Sequence, residues 1–267
     1  MPLNIIERLT MLKTLGRPTI RDYIPLLFTD FTELHGDRCF GDDPAIVGGI
    51  GLFNGEPITV ISQVRAKDIE GLQKINFSMP HPEGYRKALR LVKQAEKFRR
   101  PVICFIDTPG AFCGVGAEER GQGEAIARNL HDFMALKTPI LSIVLGEGGS
   151  GGALAIGICD ELAMLENALY SVISPKGCAS ILWKDGARER EAAEMLKITA
   201  EDLQRFGICD HIIAEPEGGA AHNIELTASN IAAWLAPALP RLTAENYDGL
   251  PEKRYQKFRT MGMIKEG

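Results

Sequence analysis

The stretch that decides the fold runs from Ile140 to Ile158 and reads ILSIVLGEGGSGGALAIGI. Its first part, Ile140 to Leu145, is almost continuously apolar, which is typical of a strand buried on both faces. A glycine-rich turn follows from Gly146 to Gly152, and the small residues Ala153 to Ile158 predict a helix. A buried strand that runs through such a turn into a helix is one unit of an α/β fold.

Two other segments repeat this order of strand, turn and helix. The apolar run 102–107 leads into Thr108-Pro109-Gly110-Ala111, and a helix is expected after Glu118. The run 169–173 leads into Ser174-Pro175-Lys176-Gly177 and another helix. Strands that alternate with helices predict one sheet covered by helices.

The remaining elements have simpler signals. Asn54-Gly55 separates two β-rich runs within 45–64, and this pair is a strong hairpin signal. The polar stretch 65–84 is too long and irregular for a simple connection, so we expect a lid or binding loop there. Apolar residues at helical spacing predict helices over 85–98 and from Thr227 to Leu239.

Composition limits the class of protein. The chain has 267 residues, of which 45% are hydrophobic and 24% charged, as in an ordinary globular protein. Its net charge of -5 gives no basic surface for nucleic acid or anionic membranes. The N-terminal residues mix charges into an apolar pattern, which is unlike a signal peptide or a membrane span. Six scattered cysteines suggest neither zinc nor disulfides, so we expect a reducing cytoplasm.

The turn from Gly146 to Gly152 is the main candidate site. Five glycines in seven residues precede a helix, where N–H groups without helical partners suit an anion. Glycine also lets a substrate carbonyl approach the backbone. The structural alternative is that these glycines only permit close packing of the helix on the strand.

Two short motifs compete for the same turn. Gly146-x-Gly148-x-x-Gly151 fits a dinucleotide fingerprint, with Glu166 near the spacing of a ribose-binding acid. Against it, Glu147 would place negative charge near a pyrophosphate. Gly148-x-Ser150-x-Gly152 fits a nucleophile elbow, with His211 or His222 as the available base. Glu118-Glu119-Arg120 is better explained as a charged helix start than as an acid–base pair.

Longer segments carry a family resemblance. FIDTPGAFCGVGAEERGQGEAIARNL (105–130), GEGGSGGALAIG (146–157) and YSVISPKGCASILWKD (170–185) together resemble the α subunit of bacterial acetyl-CoA carboxylase carboxyltransferase. The resemblance extends from RPTIRDYIPLLF near the N-terminus through GDDPAIVGGI and MPHPEGYRKALRL to the RYQKFRTMG tail. It implies a crotonase-like spiral of stacked β-β-α units. It also implies transfer of a carboxyl group from carboxybiotin to acetyl-CoA, which yields malonyl-CoA for fatty-acid synthesis.

The resemblance also implies roles for individual residues. The family's oxyanion glycines fall on Gly151 and Gly152, which would bind the ureido oxygen of biotin. Gly110, Ala111, Gly148 and Gly149 are further substrate-binding candidates. Lys74, Arg86, Lys87 and Arg90 would either meet CoA phosphates or form a solvated basic helix face. A crotonase-type hydrolase or isomerase that uses Ser150, and a scaffold subunit without activity, are the competing hypotheses.

The partners and domains follow from the same resemblance. Biotin would arrive on a separate biotin carboxyl carrier protein, charged by biotin carboxylase, and this chain would hold no metal. A zinc-finger β subunit would bring the acyl-CoA contacts in an α2β2 heterotetramer, so the chain alone should be inactive. We expect an N-terminal helical segment over 1–40, the crotonase-like carboxyltransferase domain over 41–240 and a C-terminal tail over 241–267.

Overall fold

One eight-stranded sheet carries the fold, in a computed structural model that describes residues 3–262. The strands are β1 Thr29–Glu33, β2 Ile46–Phe53, β3 Glu56–Gln63, β4 Val102–Thr108, β5 Ile140–Gly149, β6 Glu161–Leu165, β7 Leu169–Ser171 and β8 His211–Ile213. The α-helices are α1 Ile5–Lys13, α2 Ile20–Leu27, α3 Ile69–Lys74, α4 Pro82–Lys97, α5 Val115–Glu119, α6 Gln122–Ala135, α7 Ser150–Leu154, α8 Pro175–Trp183, α9 Glu189–Leu196, α10 Ala200–Arg205, α11 Ile224–Thr243 and α12 Leu250–Thr260. No helix in this part of the chain is long and apolar enough to cross a membrane.

The sheet changes from antiparallel to parallel along its order. β1, β2 and β3 are antiparallel, and β3, β4, β5, β6 and β8 follow as parallel neighbours. The hairpin between β2 and β3 is confirmed, because Asn54 and Gly55 both have positive φ, as the two-residue turn requires. Every residue of β4 is buried, which fits a strand covered on both faces.

β5 differs from its prediction at the glycine turn. The strand continues to Gly149, and α7 occupies Ser150–Leu154 instead of the expected 153–158. The extension has partners, because Glu147 to Gly149 pair with β7 while the earlier residues of β5 pair with β6. The glycine turn is therefore half strand, and only its last three residues open the helix.

Other boundaries also shift. The stretch 65–84 contains the short helix α3 and a 3-10 turn at Asn76–Ser78. β7 ends at Ser171, and α11 continues past Pro237 and Pro240 to Thr243. The helices expected over 85–98 and in the third unit are present as α4 and α8.

The described segments on both sides of 41–240 contact this central region. Within the expected N-terminal segment 1–40, β1 pairs with β2. In the expected tail, Arg254 of α12 is fully buried and pairs with Asp160 at 2.9 Å. Its guanidinium also donates to the carbonyls of Phe133 (2.8 Å) and Leu136 (2.9 Å). The domain boundaries at 40 and 240 stay predictions.

Replacing Arg254 with Met should destabilise the protein strongly, because it leaves the Asp160 carboxylate without its buried cation and removes the donor to the Leu136 and Thr138 carbonyls. We expect a loss of about 3–5 kcal/mol in the free energy of unfolding. The matched control is Lys253→Met on the same helix, which removes an exposed ion pair with Glu245 and should cost less than about 1 kcal/mol. Urea denaturation of the two variants measures the difference, and equal losses would contradict the role given to Arg254.

Candidate functional site

The end of β5 and the start of α7 form the centre of the candidate site. Ser150 joins them with a φ of 52°, and its side chain is exposed. Gly151 is half-buried and Gly152 is buried. The first turn of α7 has no side-chain cap, and N–H groups in a first helical turn have no partner within the helix. The amides of Gly151 and Gly152 are therefore free of helical hydrogen bonds.

The turn after β4 packs directly on Gly152. A Cβ at Gly152 would lie 2.4 Å from the Ala111 nitrogen and 2.5 Å from the Gly110 carbonyl carbon. Only glycine permits this approach, since real Cβ atoms do not come so near a backbone. The structure thus brings together Gly110, Ala111 and Gly152, three of the residues that the sequence predicts for the site.

Most amides of the 108–112 turn are already used. The Gly110 N–H donates to the Thr108 hydroxyl at 3.1 Å, and the Phe112 N–H donates to the Pro80 carbonyl at 3.0 Å. Between them, the Ala111 N–H has no hydrogen-bond acceptor within residues 3–262. Ala111 is therefore the donor that this turn offers beside Gly152.

The 108–112 turn is held rigidly from the side of α6. Gln122, at the start of that helix, donates from Nε2 to the carbonyls of Pro80 and Phe112, each at 2.9 Å. The Phe112 ring stacks on His81 with 4.2 Å between ring centroids. Such fixed neighbours keep the Ala111 amide in one orientation, as a preorganised donor must be.

The other glycines of the turn serve packing. A Cβ at Gly146 would meet the Arg17 guanidinium, one at Gly148 the Tyr170 ring, and one at Gly149 the Pro109 carbonyl. The close-packing explanation thus holds for these three positions. Gly148 and Gly149 lie within β5 against protein groups, and the substrate-binding role expected for both stays a prediction.

Gly151 is the exception among these glycines. A Cβ there would meet only Ile126, at 3.8 Å. Packing therefore does not require glycine at this position. An apolar cavity of about 330 Å³ borders Ser150 and Gly151. The cavity is lined mainly by Leu154, Tyr170, Leu196, Ile198, Leu203 and Ile208.

A buried ion pair contacts the backbone of the glycine turn. The register between β4 and β5 shifts after Ile106, so that two steps along β4 match four along β5. Asp107 lies in this irregularity, and its carboxylate accepts the Glu147 N–H at 3.1 Å and an ion pair from Arg17. Burial raises the pKa of Glu147, and the nearby Arg65 guanidinium opposes that rise.

Sequence reasoning missed Asp107 and its partner Arg17 as parts of the site. The signal for Asp107 was its charge at the end of a continuously apolar strand, where an acid requires a partner. No local signal identifies Arg17, which lies ninety positions away along the chain. Gln63, whose side-chain amide donates to the Gly152 carbonyl, was missed as well, since one amide at the end of a strand is unremarkable in a sequence.

Neither the nucleophile motif nor the dinucleotide motif has the partner residue that its chemistry requires among residues 3–262. No histidine of residues 3–262 hydrogen-bonds to Ser150, and His211 stacks on Trp234 instead. The Glu166 carboxylate instead accepts the N–H of Glu215 at 3.4 Å, and Glu215 lies in the loop that follows β8. Across the same residues, no group of three or more His, Cys, Asp or Glu is placed to hold a metal.

The basic residues near α4 are mostly engaged with acids. Lys87 is buried and pairs with Asp42 at 2.6 Å, and Arg86 bridges Asp37 and Glu83. A solvated basic face is therefore wrong for these two residues. Arg90 donates to the His35 and Gly36 carbonyls, and Lys74 forms an exposed pair with Glu70.

Known proteins match this chain over nearly its whole length. The family model described as acetyl co-enzyme A carboxylase carboxyltransferase-like matches residues 1–262. The acetyl-coenzyme A carboxylase carboxyl transferase subunit alpha of Clostridium acetobutylicum is 56% identical over 260 residues, covering 97% of this chain and 95% of that protein. The same subunit of Shouchella clausii is 57% identical, covering 97% of this chain and 80% of its own length.

Solved structures agree on the fold. A transcarboxylase 12S structure with methylmalonyl-coenzyme A superposes with a TM-score of 0.67 at 19% identity, covering 90% of this chain but 45% of that chain. A Pseudomonas malonate decarboxylase hetero-dimer has a TM-score of 0.64 at 17% identity, covering 81% of this chain and 89% of that chain. The sheet and its repeated units therefore have the crotonase-like fold of carboxyltransferases, as expected.

The family follows from the sequence relatives. This chain belongs to the acetyl-CoA carboxylase carboxyltransferase family, and its relatives there are α subunits. The resemblance stated from the sequence is confirmed, and with it the expected class of enzyme, a biotin-dependent carboxyltransferase.

Arg17 and Asp107 should prove energetically coupled. Arg17→Met leaves the Asp107 carboxylate buried without its cation, and we expect it to lower the free energy of unfolding by about 3–5 kcal/mol. Asp107→Asn should be similarly costly, but the double variant should lose less than the sum of the two. Urea denaturation of the four proteins gives the coupling energy. Additive losses would show that the pair does not act as a unit.

Proposed function

We propose that the N–H groups of Gly151 and Gly152 bind the ureido oxygen of carboxybiotin during carboxyl transfer to acetyl-CoA. The observation that carries this proposal is the close approach of Gly152 to Gly110 and Ala111. It places the free Ala111 amide beside the uncapped first turn of α7. Main-chain N–H groups from two separate turns are thereby brought close together.

The surroundings of Gly151 fit the bicyclic ring of biotin. The space that a side chain at 151 would fill is open, and the adjoining cavity of about 330 Å³ is largely apolar. Amide donors beside an apolar cavity suit a ligand with a polar ureido edge and a hydrocarbon body. When bound, carboxybiotin supplies the carboxyl group and a nitrogen that becomes basic once the group has left.

The chain contributes to catalysis through its backbone. Carboxyl transfer develops negative charge on oxygen, and preorganised N–H donors stabilise such charge by about 3 kcal/mol each in comparable sites. The donors at Gly151 and Gly152 need no change of protonation, so the proposal requires no acid or base from this chain. Packing by Gln122 and His81 keeps the Ala111 wall in place while the site is occupied.

The rest of the active site lies on other proteins in this proposal. A zinc-finger β subunit brings acetyl-CoA and the second set of oxyanion donors, in an α2β2 assembly. A biotin carboxyl carrier protein delivers the biotin, which biotin carboxylase recharges. Malonyl-CoA is the product, and the cytoplasm is the expected location.

Reconstitution tests this division of labour. We expect malonyl-CoA from carboxybiotin and acetyl-CoA only when the chain is mixed with the β subunit of its own organism, because neither half-site is complete alone. Product formation is followed by incorporation of labelled carboxyl carbon. Full activity of this chain without the β subunit would overturn the proposal.

Gly151→Ala gives the sharpest test of the oxyanion assignment. The new methyl group meets only Ile126, so the free energy of unfolding should change by less than about 1 kcal/mol. The same methyl group would displace a ligand bound at the amides, and a displacement of about 1 Å can cost about 100-fold in turnover. We therefore expect malonyl-CoA formation to fall by roughly that factor while urea denaturation stays unchanged.

Two further variants control this test. Gly123→Ala also adds a methyl group to the first turn of a helix, α6, where nothing lies within 4 Å, and it should keep normal activity. Gly152→Ala would force its methyl group into the Gly110–Ala111 backbone, so both stability and activity should fall. Full activity of Gly151→Ala would contradict the assignment.

A further inference from the structure

Gln63, the last residue of β3, connects the two walls of the candidate site. Its side chain is completely buried. The Nε2 group donates to the Gly152 carbonyl at 2.7 Å, on the α7 side. The Oε1 atom accepts the Asp107 N–H at 3.1 Å, on the β4 side. One amide therefore joins the strand that leads to Ala111 with the helix that carries Gly152.

The Gly152 carbonyl depends on Gln63 for its hydrogen bond. In a continuing α-helix it would accept the Ile156 N–H. Here that N–H turns to the Ala153 carbonyl at 3.3 Å, because α7 ends at Leu154. Gln63 thus replaces the missing helical donor, and its hydrogen bond fixes the peptide plane on the carboxyl side of Gly152.

The orientation of the Gln63 amide is determined by its partners. One end faces a carbonyl and the other an N–H, so a flipped amide would oppose like groups at both ends. A buried amide with both ends engaged in this way acts as a rigid spacer between β4 and α7.

We propose that Gln63 is a positioning residue that sets the separation between the Ala111 and Gly152 donors. The inference rests on the proposed oxyanion function of these amides and adds the residue that aligns them. Gln63 touches no reacting atom. It acts by holding Gly152 to Asp107 near the end of β4, four residues before Ala111. The N–H groups of Gly152 and Ala111 can then donate to one oxygen.

Asn129 provides a matched control. It is also a fully buried amide, on α6, and its Nδ2 donates to the Ala155 carbonyl at 3.1 Å, at the far end of α7. Losing either amide therefore leaves one buried carbonyl of the α7 segment without its donor. Only Gln63 bonds to a residue of the oxyanion site, so only its loss should affect turnover.

The experiment compares Gln63→Met with Asn129→Leu in the complete complex with the β subunit. At a temperature where both variants are folded, we expect Gln63→Met to lower kcat about 10- to 100-fold through misplaced donors. The KM for acetyl-CoA should change less than about twofold, because the proposal places that substrate on the partner subunit. Asn129→Leu should keep kcat within about twofold of the original. Thermal unfolding of both variants measures the structural cost separately.

A milder variant covers the case in which Gln63→Met does not assemble. Gln63→Asn keeps a polar amide but is one methylene shorter, so it cannot reach both the Gly152 carbonyl and the Asp107 N–H. Its kcat should lie between those of the original and Gln63→Met. Equal kcat values for the Gln63 variants and Asn129→Leu would overturn the positioning role alone, provided that the unmodified complex makes malonyl-CoA. An inactive unmodified complex would instead overturn the proposed function together with the inference.

Discussion

The ion pair between Arg17 and Asp107 is the constraint on which the site depends. It lies where the register of β4 and β5 shifts, and the Asp107 carboxylate accepts the N–H of Glu147, a residue that the β4–β5 register skips. The Arg17 guanidinium covers Gly146 at the same point. Because a buried charge requires a close partner of opposite charge, Arg17 holds the Asp107 carboxylate at this point, and the carboxylate anchors the part of β5 that continues past β4 to pair with β7. Because β5 continues in this way, the end of the Gly146–Gly152 turn lies against the turn at Gly110.

The proposed oxyanion site consists of backbone rather than side chains. Gly152 and Ala111 belong to different strand-turn-helix units, and they meet because neither has a side chain large enough to separate them. Peptide groups are good oxyanion donors, since they are fixed by secondary structure and do not titrate. Specific side chains act one layer behind them: Gln63 between the two units and Gln122 behind the Ala111 turn.

The sequence predicts the local features of this arrangement well. The Asn54-Gly55 hairpin, the repeated units and α4 follow from turn chemistry and periodicity, which act over a few residues. The extension of β5 to Gly149 could not be read in the same way, because it depends on pairing with β7. Gln63 and Gly152 are likewise 89 positions apart. Long-range contacts of this kind also explain why Lys87, on a seemingly solvated helix face, is buried against Asp42.

The contacts of Arg254 have a consequence for how the protein folds. Arg254 donates to the Phe133, Leu136 and Thr138 carbonyls across 121, 118 and 116 positions of the chain. A contact between residues so far apart in sequence closes a long loop, and this closure costs conformational entropy before the contact forms. The segment between the end of α6 and the start of β5 therefore gains these hydrogen bonds only when α12 docks on it. The ordering of this segment is thus coupled to the docking of a helix that lies more than a hundred residues further along the chain.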